Sequence, residues 1–130
     1  MENCVFCKIV NGEIPSNKLY EDDKFMSFLT IEPVSRGHLL IIPKEHIVWM
    51  QDAPDEIISE IYKIAKKLMH ALKKSMGADY VQLSVVGEEI PHFHIHLFSR
   101  MYNDGLLRFP HTRYKDGEAE EIAKKITEAF

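Results

Sequence analysis

Apolar and polar positions alternate in short blocks over the first half of the chain and change to a helical period near its middle. Residues 24–31 are rich in Phe and Leu, residues 33–37 run from Pro33 to Gly37, and His38-Leu39-Leu40-Ile41-Ile42 is an apolar run stopped by Pro43. Two extended segments around a turn predict a hairpin. Over residues 54–76, Ile57, Ile61, Ile64, Ala65, Leu68 and Leu72 recur at helical spacings with lysines opposite, which predicts one long helix. Asp52 is placed to cap it, Asp55 and Glu56 fall in the first turn, Lys73 and Lys74 in the last, and Gly77 follows. Residues 80–86 and 92–98 read as two more strands, separated by Gly87-Glu88-Glu89 and Pro91 and adjacent in one antiparallel sheet. Residues 118–130 carry a short helical pattern with Ile122, Ile126 and Phe130 in one row. With no repeat, low-complexity tract or linker, these elements predict a single α+β domain over residues 1–130, built on a meandering sheet and one main helix.

Composition narrows the class. A 130-residue chain that is 45% hydrophobic and 28% charged is ordinary for a globular domain. Its formal charge of -4 lacks the basic excess that a nucleic acid or an anionic membrane rewards, so neither is an expected partner. No apolar run approaches the length of a membrane span, and the N-terminal residues lack the pattern of a signal peptide, so a cytoplasmic location is expected. The two cysteines, Cys4-x-x-Cys7, suit a metal half-site or a redox pair in a reducing compartment better than a structural bridge.

Three of the seven histidines fall in His92-Phe93-His94-Ile95-His96-Leu97-Phe98. On a strand, the period of two places all three imidazoles on one face and Phe93, Ile95 and Leu97 on the other, toward the core. A strand whose solvent face is His-rich by chance is the bland explanation, but three such rare residues at alternate positions argue against it. A zinc site is the stronger rival, because two His at i and i+2 can grip one ion. All three cannot. At about 3.3 Å per residue the outer two Cα atoms lie roughly 13 Å apart, so at least one ring has another task.

The segment 92–98 matches, position by position, the His-φ-His-φ-His-φ-φ signature (φ apolar) of the histidine-triad (HIT) nucleotide hydrolases and transferases. Cys4-Val5-Phe6-Cys7-Lys8-Ile9, Gly12-Glu13-Ile14-Pro15, Tyr20-Glu21-Asp22-Asp23, Pro33, Gly37-His38 and Ile42-Pro43-Lys44-Glu45-His46 also resemble family segments, in family order, over roughly the first hundred residues. The chain is most similar to the Hint-like branch. That resemblance implies a homodimer with an antiparallel sheet of about five strands in each subunit. It also implies cleavage of purine nucleoside 5'-phosphoramidates, or related nucleoside 5'-phosphate derivatives, through a nucleotidyl-histidine intermediate.

By the same resemblance, His94 is the nucleophile, with His96 and His38 orienting the site and stabilising phosphoryl charge. A neutral imidazole attacks and leaves phosphorus readily near pH 7, which splits one hard displacement into two easier ones. Zinc-containing members join a Cys-x-x-Cys to two histidines, here Cys4, Cys7, His46 and His92, a closed set of the structural kind, with one zinc per chain. Phe6, Ile9, Phe28 and Ile31 match base-pocket positions, although each alone would read as core. Thr30 stands where an Asp usually grips the ribose, and Gly87 and Glu88 stand at the phosphate approach, where Gln is common at the second position and the loop is shortened. An acidic group there repels phosphate unless paired or protonated. Ser99 replaces a common Pro. Dinucleoside polyphosphate hydrolysis, a nucleotide-binding module with little turnover, and a zinc-dependent hydrolase with the triad as ligands stand as alternatives.

Overall fold

A computed structural model describes residues 3–130. Helix α1 (Val5–Val10) precedes strands β1 (Lys18–Glu21), β2 (Phe25–Leu29) and β3 (Leu39–Pro43). A single 3-10 turn, Met50–Asp52, leads into helix α2 (Asp55–Met76), followed by β4 (Tyr80–Ser84), β5 (Ile95–Arg100) and helix α3 (Glu118–Ala129). The five strands form one antiparallel sheet in the order β1-β2-β3-β5-β4. The first three strands meander. The crossover through α2 then sets β4 on the outer edge, and β5 returns into the gap beside β3. The architecture is α+β, as expected.

The predicted hairpin is β2–β3, in register from Phe25↔Pro43 to Leu29↔Leu39. Its strands are apolar at successive positions because both faces are covered. Phe25, Leu39 and Ile41 join Ile61, Ile64, Ala65 and Leu72 of α2 in one core, while Met26, Phe28, Leu40 and Ile42 pack on the opposite face with Cys4, Phe6 and Ile9. Burial of each such Leu, Ile or Phe contributes about 1.5–3 kcal/mol. The amphipathic stripe of α2 thus anchors one face of the sheet, and the short α1 closes the other. The two small layers create the slot between α1 and the sheet.

Several boundaries differ from the pattern. Asp52 does not cap α2: it ends the 3-10 turn, and Pro54 occupies the cap position with no side-chain bond. Helix α1 is only six residues long, too short to show a period, and the four-residue β1 is equally silent. Strand β4 stops at Ser84, two residues early. The most consequential difference is at the triad: β5 begins at Ile95, so residues 92–94 are not strand. Pairing of β3 with β5 ends at Ile41↔Ile95, and Pro43 has no N–H with which to extend the ladder. The backbone there bonds elsewhere, His92 N–H to Ile90 O and Phe93 N–H to Ile47 O. No helix among the described residues is long and apolar enough to cross a membrane.

Candidate functional site

Only His96 lies within β5, which begins at Ile95, yet all three triad imidazoles face the α1 side, opposite Phe93, Ile95 and Leu97. Phe93, Ile95 and Leu97 point into the α2-side core as the alternation requires. His92 is fully buried and turns toward Cys4 and Cys7, while His94 and His96 line a cavity on the α1 side.

Hydrogen-bond partners settle which nitrogen of each ring carries the proton. The Nε2–H of His92 donates to Pro43 O at 2.7 Å, which leaves its Nδ1 lone pair facing Cys4 Sγ at 3.3 Å and Cys7 Sγ at 3.6 Å. The Nδ1–H of His94 donates to His92 O at 2.7 Å, so its Nε2 is unprotonated. The Val34 N–H donates to His38 Nδ1 at 3.0 Å, so His38 carries its proton on Nε2 and donates it to His96 Nδ1, also at 3.0 Å. His96 is thereby left with a proton on Nε2. A carbonyl or amide partner admits only one tautomer of a neutral ring.

Burial reinforces the neutral forms. Desolvation lowers the pKa of His38, and of His94 and His92 against the opposing backbone bonds. Desolvation, then the neighbouring His94 and His38, pushes His96 down to about 4. Neutral rings at pH 7 place an imidazole lone pair at His94 and an N–H donor at His96, their centroids 4.8 Å apart.

The cavity holds about 470 Å³, the size of a site for one small ligand. Phe6, Ile9, Phe28 and Leu40 form its apolar wall, with Phe6 set edge-on to Phe28 at 5.6 Å and to His94 at 5.1 Å. Thr30 and Ile31 also line it. The Thr30 hydroxyl accepts the Glu32 N–H at 3.3 Å, which leaves its proton free to donate. His38 does not line the cavity; it is buried and bonded to His96, which does. Glu88 is exposed and outside the lining, and Gly87 faces a second, smaller cavity beside Trp49. Glu89, one residue on, takes the place expected of Glu88. Just before them Gly87 takes a left-handed φ of 82°, and a Cβ there would stand 2.8 Å from Trp49 Cζ3.

Cys4, Cys7, His46 and His92 bring one ligand atom each to within 4.8 Å of one another, with His46 Nδ1 3.2 Å from Cys7 Sγ. Two sulfurs and two imidazole nitrogens suit tetrahedral zinc. Burial, then Cys4, pushes the Cys7 thiol up to about 11, so a bound cation would be needed to hold Cys7 as the thiolate at neutral pH. The donor set fits the metal. Other contributors escape a sequence reading: Val34, whose N–H fixes His38, and the bonds of Ser35 and Ser99, which span 64 and 63 positions and hold that turn to β5. A backbone donor carries no residue-type signal, so only the fold reveals it.

Residues 11–103 match the family profile of the HIT domain. An uncharacterised HIT-like protein of Methanocaldococcus jannaschii is 36% identical over 129 residues, covering 95% of this chain and 98% of its own. An adenosine 5'-monophosphoramidase of Candida albicans is 38% identical over 107 residues, covering 75% and 70%. The crystal structure of a zinc-bound histidine triad family protein from Mycobacterium smegmatis superposes with a TM-score of 0.76 at 28% identity, covering 99% of each chain.

Proposed function

The chain belongs to the HIT family, and from that premise we propose that it hydrolyses purine nucleoside 5'-phosphoramidates, or closely related nucleoside 5'-phosphate derivatives, through a nucleotidyl group carried on His94. The observation that carries this reading is the bond from His94 Nδ1–H to His92 O, which frees an Nε2 lone pair beside a nucleotide-sized cavity. In the reading, Phe6, Ile9, Phe28 and Ile31 hold the base and Thr30 faces the sugar. The His94 Nε2 lone pair forms a bond to phosphorus while the P–N bond breaks. Its electrons go to an amine nitrogen already protonated from solvent, which departs as neutral amine. The ring is now a cation, still donating Nδ1–H to His92 O, and His96 Nε2–H donates to a phosphoryl oxygen as charge develops there. Water then attacks phosphorus, the N–P pair returns to Nε2, and a proton passes to solvent.

Zinc held by Cys4, Cys7, His46 and His92 would cross-link α1, the segment after β3 and the segment before β5, a structural role. The reading includes one HIT domain over the 130 residues and a cytoplasmic location, which free thiols favour. It also includes a homodimer, supported by the apolar face of α3, which buries no residue in the single chain. Light scattering in the micromolar range is expected to give twice the chain mass, and a monomer alone would remove the dimer from the reading. Intact mass after brief acid quench with adenosine 5'-phosphoramidate is expected to show a transient adenylyl adduct that maps to His94. Turnover without any adduct, and undiminished in His94→Ala, would overturn the mechanism.

A further inference from the structure

The charge around the cavity is unusual for a site that handles phosphate. Among its lining residues the ionic side chains are Glu32 and Glu89, both acidic, with no lysine or arginine. The two imidazoles that line it, His94 and His96, have hydrogen-bond partners that fit neutral rings. His94 is only 5% exposed, and its Nε2 has no partner among the described residues although it lines the cavity. An anionic phosphoryl group placed there therefore meets two carboxylates and no countercharge. A polyanion such as a dinucleoside polyphosphate fits worst. A ligand that brings its own cation fits best.

We infer that Glu89, assisted by Glu32, selects substrates whose leaving amine carries a second, cationic group, so that the preferred ligand is a nucleoside 5'-phosphoramidate that is zwitterionic overall. The inference rests on the proposed phosphoramidate chemistry and names its substrate class. Glu89 and His94 line the same cavity, so a cationic group carried on the departing amine meets a carboxylate there. Glu32 lines the cavity with Thr30, to whose hydroxyl its N–H donates. Both carboxylates are exposed, which makes the selection moderate in size and sensitive to salt.

The test compares two adenosine 5'-phosphoramidates of equal shape, one bearing a 2-(trimethylammonio)ethyl group on nitrogen and the other the neutral 3,3-dimethylbutyl isostere, with a diadenosine polyphosphate as the anionic third probe. The charged phosphoramidate is expected to show kcat/KM about five- to tenfold above its isostere at low salt, a ratio that shrinks as ionic strength rises. Glu89→Gln is expected to bring that ratio close to one, and Glu32→Gln to lower it by less. Adenylyl-His94 formation from both phosphoramidates at equal efficiency would overturn the selection and leave the hydrolase reading intact. Faster cleavage of the diadenosine polyphosphate than of either phosphoramidate would overturn it too. No turnover and no adduct with any probe would overturn the hydrolase reading and the inference with it.

Discussion

His38 Nε2 lies 3.0 Å from His96 Nδ1, and this contact decides which nitrogen of His96 keeps the proton that faces the cavity. Because His38 is itself fixed by the Val34 N–H, the order runs from a backbone amide through two rings to the ligand. His38→Ala removes the relay and leaves the Val34 N–H without its acceptor. Turnover of the phosphoramidate is expected to fall about 10- to 100-fold, mainly in kcat, because the lost interaction strengthens in the transition state. His38→Gln, whose amide N–H can donate to His96, is expected to recover part of it. Equal kcat in the wild type and His38→Ala would show that the relay has no catalytic consequence.

The burial of His96 gives a pH dependence of stability with a definite sign. Its ordinary value is 6.5, and in the fold it protonates only near 4. Above pH 6.5 the ring is neutral folded and unfolded, so it adds no slope. Between 6.5 and 4 the unfolded chain binds the extra proton, so stability falls as pH drops through that window. The contribution near pH 4 is on the order of 2 kcal/mol once discounted for the partial exposure of the ring. Chemical denaturation at several pH values is expected to show the wild type losing more stability than His96→Gln across the window. Parallel curves would remove His96 as the source.

The candidate metal ligands and the proposed nucleophile share His92, whose ring faces the sulfurs and whose carbonyl accepts from His94 Nδ1. Metal analysis of protein purified without added zinc is expected to give one zinc per chain. Prolonged chelation, or Cys7→Ser, is expected to lower the unfolding temperature and also to slow formation of the His94 adduct, because the carbonyl that holds Nδ1 loses its anchor. A metal content near zero in a protein of undiminished stability would sink this assignment.

Gly37 turns the chain from the loop into β3 at φ 86°, and a Cβ there would stand 2.6 Å from Leu72 Cδ1 and 3.0 Å from Met76 Cγ. The left-handed backbone and the close packing both oppose a side chain. Gly37→Ala is expected to cost about 1–3 kcal/mol in denaturant unfolding. A change below about 0.5 kcal/mol would mean that α2 yields there without cost.

At Gly87, φ 82°, a Cβ would lie 2.8 Å from Trp49 Cζ3. Gly87→Ala therefore displaces either the indole or the loop that carries Glu89, and it is expected to reduce the preference for the charged phosphoramidate while leaving zinc content at one per chain. A variant that keeps the full preference would show that the loop position does not set it.

The residue pattern alone makes legible the elements whose signal is local: the β2–β3 apolar runs, the stripe of α2 from Ile57 to Leu72, and the alternation that sends Phe93, Ile95 and Leu97 inward. It also supplied the residue types at the site, because a spaced Cys pair and a histidine run are rare enough to stand out. Tertiary structure decided where those side chains point. His92 faces two sulfurs 85 and 88 positions away while its Nε2–H is held by Pro43 O. His38 is bonded to His96 in a tautomer fixed by a backbone amide four residues upstream, and Glu89 rather than Glu88 lines the cavity. Such assignments depend on distances between residues far apart in the chain and on individual hydrogen-bond donors, neither of which a linear pattern of apolar and polar positions encodes.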